Sequence, residues 1–139
     1  MSLTLSELQT AIQDFTENTE TSFVANLPIF IRGAEDRILT LVDLELFRKN
    51  AVSQLTVGDP YLNVPVDYLA PFSLQITTAN YEDLLDFTDV NFVQRHSQDY
   101  GSTATPTHYS VFDVDTFLFG PSPNLTYDVE LHYYYRPAS

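Results

Sequence analysis

The chain has 139 residues, no cysteine, and 19 acidic against 6 basic side chains, for a formal charge of -13. That length fits one domain able to bury about two thirds of its unfolded surface, and the missing thiols exclude disulfides and thiolate metal sites, as fits a reducing cytoplasm. The charge argues against a surface that neutralises many phosphates or docks on an anionic membrane.

Met1-Ser2-Leu3-Thr4 has neither the basic segment nor the apolar run of a signal peptide. No apolar stretch approaches the roughly 20 residues of a bilayer span. Thr4 and Glu7 stand at capping-box spacing, with Leu3 and Leu8 as a hydrophobic staple. Leu5, Leu8, Ile12 and Phe15 then recur at helical spacing, and Glu17-Asn18-Thr19-Glu20-Thr21 reads as a polar linker. A second helix is expected to start near Asn26, a good cap, with Pro28 in its first turn where a missing N–H is harmless. Its apolar stripe is Leu27, Phe30, Ile31, Ala34, Ile38 and Leu41. Gly33 within it costs about 1 kcal/mol relative to alanine; it marks either a close helix approach or a tolerated defect.

From Leu46 the pattern turns strand-like. Val57-Gly58-Asp59-Pro60 reads as a turn before an extended Tyr61–Val64. Pro65 and Pro71 punctuate Val66-Asp67-Tyr68-Leu69-Ala70, which reads as loop and not sheet interior. Phe72, Leu74 and Ile76 alternate with Ser73, Gln75 and Thr77, a half-buried strand. Leu84, Leu85 and Phe87 have no clear period. Thr88 or Asp89 would cap a short helix through His96, with Val90 and Val93 inward, and Ser97–Thr107 reads as a polar loop.

The last third predicts three consecutive antiparallel strands. His108–Phe112 and Thr116–Phe119 are joined by the acidic turn Asp113-Val114-Asp115. Past Gly120–Asn124, Tyr127, Val129, Leu131, Tyr133 and Tyr135 alternate with Asp128, Glu130, His132, Tyr134 and Arg136. The fold class expected is α+β: N-terminal helices packed with an antiparallel β-sheet or small β-sandwich ending in a C-terminal β-meander. A single domain over residues 1–139 is expected, mainly helical over 1–45 and mainly β over 46–139, with one short helix near 88–96.

No set of residues calls for chemistry. Asp113 and Asp115 lack the further oxygen ligands and the bend glycine of a calcium loop, and read as a turn that Asp favours. His96, His108 and His132 are scattered over one helix and two strands without metal-ligand spacing. His132 beside Glu130 reads as a surface hydrogen bond. Gly120-Pro121-Ser122-Pro123-Asn124 is a turn and lacks the nucleophile-elbow pattern. Paired carboxylates are expected by chance among 19 acids. No catalytic, metal-binding or cofactor-binding residue is therefore assigned, and no cofactor is expected. The remaining signal is aromatic: nine Tyr and ten Phe with no Trp. Alternation turns Tyr134 away from the face of Tyr133 and Tyr135, and an outward Tyr is a good contact residue.

Several segments, in order along nearly the whole chain, resemble one family. They are Glu7–Asn18, Phe23–Ile38, Phe47-Arg48-Lys49-Asn50, Gly58-Asp59-Pro60-Tyr61-Leu62 and Tyr68–Leu74. Thr107-His108-Tyr109-Ser110, Thr116–Pro123 and Tyr127–Pro137 complete the set. Together they resemble the head-to-tail adaptor (connector) proteins of tailed bacteriophages. Members of that group continue past the last strand with helical sequence, whereas this chain stops three residues after Arg136.

The resemblance implies a structural virion protein of the neck, assembled in the bacterial host cytoplasm. It implies a ring of copies, a dodecamer, beneath the portal protein. The ring would continue the DNA channel toward tail or nozzle proteins, with genomic DNA passing without specific binding and no membrane involved. Closing acidic subunits into a ring needs apolar area or local pairing. Arg32, Arg37, Arg48, Lys49, Tyr134 and Arg136 are the candidate subunit-interface residues, with Arg95 the remaining cation. Two other readings stay open: another tail or head-completion subunit, and a small carbohydrate-binding β module stacking sugars on a surface tyrosine.

Overall fold

The structure, a computed structural model, describes residues 3–97 and 102–138. The chain divides into two compact units, a helical one up to Asp43 and a β-rich one from Leu44 to Ala138. Among the described residues no helix is long and apolar enough to cross a membrane.

In the helical unit, α1 (Leu5–Thr16) opens on the capping box. Glu7 N–H donates to Thr4 Oγ1 at 3.3 Å, and Thr4 N–H donates to Glu7 Oε2 at 2.8 Å. The backbone and hydroxyl donors of Thr4 favour the ionised carboxylate and hold Glu7 below the usual range. The helix stops at Glu17, whose φ of 49° is left-handed. Then α2 (Thr21–Leu41) starts earlier than a cap at Asn26 predicts. Asn26 instead donates its side-chain amide to the Ser22 carbonyl at 2.9 Å. Phe23 explains the early start: it extends the apolar stripe backward and meets Phe30, two turns on, at 6.3 Å. The helix thus runs through Pro28 despite the lost backbone donor. A Cβ on Gly33 would meet nothing within 4 Å, so Gly33 is a tolerated defect and not a close approach.

The β-rich unit begins with a 3-10 turn, Glu45–Phe47. Its strands are β1 (Arg48–Leu55), β2 (Tyr61–Asn63), β3 (Tyr68–Thr77), β4 (Glu82–Leu84) and β5 (Asp86–Phe87), followed by α3 (Val90–His96). Then come β6 (Thr103–Ala104), β7 (His108–Asp113), β8 (Thr116–Gly120), β9 (Ser122–Pro123) and β10 (Tyr127–Tyr135). One sheet has the order β1-β10-β3-β4 and is antiparallel throughout. The other has the order β2-β8-β7-β5, with β5 parallel to β7. A small parallel pair, β6 and β9, stands apart. Gly58, at φ 78°, supplies the left-handed residue of the turn between β1 and β2.

The α+β class holds, in its sandwich form. The buried cluster takes Leu55, Leu74, Ile76, Val129 and Leu131 from the first sheet and Tyr109, Phe117 and Phe119 from the second. Tyr68 of β3 meets Phe117 of β8 edge-on at 5.3 Å between the sheets.

The C-terminal strands are present, but β10 does not complete a meander beside β8. It crosses to the first sheet and lies between β1 and β3. The reason is occupancy: β2 takes the edge of β8 that β10 would need, through Tyr61↔Leu118, Leu62↔Phe117 and Asn63↔Thr116. In the first sheet β10 pairs with neighbours on both sides.

The stretch Val66–Ala70 is also corrected, since β3 begins at Tyr68 and runs through Pro71. Pro71 faces Tyr133 and Ser73 faces His132, so Phe72 is the surplus residue of a bulge. Among the described residues, β10 is the only strand neighbour of β3 over this part, because β4 reaches only Gln75–Thr77. A proline there breaks no second ladder.

Asp89 caps α3 by accepting from Asn91 N–H at 2.8 Å, and Val93 is fully buried. A Cβ on Gly120 of β8 would come within 2.7 Å of Val93 Cγ1 and closer still to Ser97 Oγ. Glycine therefore lets this helix lie directly on the strand. Of the Ser97–Thr107 loop, residues 98–101 lie outside the described residues, and the remainder contains β6.

Candidate subunit interface

Four of the six residues expected at an interface meet at one end of the first sheet. Arg48 opens β1 and pairs with Tyr134 of β10, and Lys49 pairs with Tyr133. The bulge at Phe72 turns that ring out of the core alternation and onto Tyr134, 6.1 Å away and edge-on. The Arg48 guanidinium lies 4.7 Å over the Phe72 ring. It also pairs with Glu45 at 3.2 Å, an exposed bridge of small energetic weight.

One residue along, Lys49 Nζ donates to Asp67 Oδ2 at 2.6 Å and sits 4.8 Å over the ring of Tyr135. Tyr133 Oη donates to Asp67 Oδ1 at 2.7 Å, and Arg136 N–H donates to the Asp67 carbonyl at 2.7 Å. Phe47 meets Tyr135 edge-on at 6.0 Å. Partial burial pushes the Asp67 carboxyl upward, but the Lys49 and Tyr133 donors and the Lys49 charge outweigh it, so the net direction is down. Burial, then the hydrogen bond and charge of Asp67, push the Tyr133 phenol up to about 12.

The middle of the outer face of the same sheet is polar and internally bonded. Gln75 Nε2 donates to Glu130 Oε2 at 2.8 Å, and Asn50 Nδ2 donates to Glu130 Oε1. His132 Nε2 lies 3.3 Å from the same Oε1, the surface contact the sequence points to. Gln54 Nε2 donates to Asp128 Oδ1 at 2.6 Å. The Asn50 donor, followed by His132 and Gln75, holds Glu130 below the ordinary carboxylate range.

The other two candidates, Arg32 and Arg37, are exposed on α2 in the helical unit. Sequence reasoning missed Phe72, Asp67 and Phe47. The available signal for Phe72 was Pro71 inside an alternating run, since a proline there marks an edge or a bulge. Asp67 joins Lys49 and Tyr133 only through long-range pairing. The arrangement consists of exposed cations stacked on aromatic rings beside a satisfied polar sheet. Such a surface is suited to contact with another protein. No match is found among curated proteins. A family model described as SU10 adaptor protein matches residues 3–139, so the chain belongs to that family and is a bacteriophage adaptor, a structural virion protein of tail assembly.

Proposed function

We propose that copies of this chain close into a ring, a dodecamer, beneath the portal in the virion neck. The ring continues the DNA channel and offers a platform to tail or nozzle proteins. The observation that carries this reading is the adaptor family match over residues 3–139. The charge supports it: a chain at -13 gives passing DNA few cations to hold it. Repulsion reaches over a Debye length of about 8 Å at physiological salt, so it acts on DNA threading a narrow channel. The corner formed by Arg48, Phe72 and Tyr134 supplies local cation–aromatic surface where acidic copies must touch. The role is structural, with no bond made or broken.

Electron microscopy of the full chain, alone and mixed with its portal protein, tests the reading. An annulus with a central hole is expected. A monomer that persists in both conditions would rule the ring out. Because each copy carries the same net charge, the ring fraction should rise as salt screens repulsion. A steady fall with added salt would count against the proposal.

A further inference from the structure

We propose that neighbouring copies join edge to edge, β4 of one against β1 of the next, so that a single sheet continues around the ring. This rests on the ring reading above and names the seam. β1 and β4 are the two outer strands of the first sheet. Among the described residues each has a strand partner on one side only, so its other side presents a row of backbone donors and acceptors, a template for a further strand.

The side chains at the two edges match level by level. One row across the sheet is Val52–Glu130–Gln75–Leu84. Its middle is polar and bonded, whereas its ends are large and apolar: Val52 is 78% exposed and Leu84 65%. Set level, the next copy brings Leu84 directly against Val52. The adjacent row is Ser53–Val129–Ile76–Asp83, with Val129 and Ile76 buried but Ser53 and Asp83 exposed. The core side of both edges is therefore bare as well. At this register Glu82 and Asp83 stand level with the neutral Gln54 and Ser53, so no like charges face each other directly across the seam.

Direction also fits. With four antiparallel strands, β1 and β4 run opposite ways. A copy repeated head to tail then makes an antiparallel seam without turning over. The two edges are different surfaces, so the contact is heterologous, as ring closure requires.

The chain has no cysteine, which makes Val52→Cys and Leu84→Cys clean probes on exposed positions. Opposed residues in an antiparallel pair have Cα atoms about 4.5–5.5 Å apart, within the roughly 4.4–6.8 Å of a disulfide. The full-length double variant, oxidised alone and with portal protein, should give a reducible ladder of dimers, trimers and larger species. Each single variant alone should stay uncrosslinked, and mixing the two should give heterodimers only. Rings seen by microscopy without crosslinks would overturn the seam and leave the ring reading standing. Val52→Cys homodimers would overturn it in favour of a dyad between two β1 edges. Neither rings nor crosslinks, with portal present, would overturn the ring reading and the seam with it.

Discussion

The helical unit and the β-rich unit spend their apolar residues differently. α1 buries none of its residues and α2 only Leu27 and Leu39, with Phe15 91% exposed. The β-rich unit closes a continuous cluster in which Leu55, Leu74, Ile76 and Phe119 are at 0%. Burial of apolar side chains is the dominant favourable term in folding, so the two units should respond differently to the same kind of substitution.

The largest expected contrast is between two phenylalanines. Phe119→Ala should destabilise the protein by about 3–5 kcal/mol through the cavity it leaves. Phe15→Ala should stay within about 0.5 kcal/mol in the isolated chain, as surface changes do. Urea unfolding of both variants measures this, and equal losses would break the comparison. Next, Gly120→Ala should cost about 1–3 kcal/mol, because the new methyl meets Val93 at 2.7 Å and has no room on β8. A neutral result in the same assay would mean that α3 is free to move off the strand.

Alkali should act on one unit alone. All nine tyrosines lie beyond Asp43. Burial lifts the Tyr109 phenol from 10.0 to about 12, and Tyr133 rises to about 12. A raised folded value means that the native state holds its proton while the unfolded chain loses it. Stability is therefore full below pH 10 and falls as pH climbs toward 12. Denaturation as a function of pH should show this slope, and Tyr109→Phe should reduce it in part, since burial also raises the Tyr68 and Tyr133 phenols.

The smallest effects belong to the helical unit and have opposite signs. Thr4→Ala removes the capping box and should weaken α1 by about 1 kcal/mol. Gly33→Ala should strengthen α2 by about 1 kcal/mol, since its Cβ meets nothing. Amide exchange in each helix reads both.

Local signals were legible in the chain and long-range ones were not. Thr4 with Glu7 announced the start of α1, and strict alternation from Tyr127 announced β10, because both patterns lie within a few residues. The partners of β10 were hidden. Nothing near Tyr127 says that β2, over sixty residues earlier in the chain, already occupies the edge of β8. The start of α2 was misplaced because Asn26 and Pro28 carry strong cap signals, and the Phe23–Phe30 contact outweighed them. At the candidate interface, alternation placed Tyr134 outward, while its union with Arg48 and Phe72 needed the strand pairing and the bulge.

That bulge makes the corner depend on a single count. Remove one residue between Ala70 and Ser73, and β3 would pair with β10 without this bulge, keeping only the second shift near Leu69. The core would keep Leu74 and Ile76, yet Arg48 would have no ring beneath it and Tyr134 no edge to meet. Chain length at one point, more than residue type, thus encodes this exterior patch, and loop-neutral deletions there should alter assembly while sparing the fold.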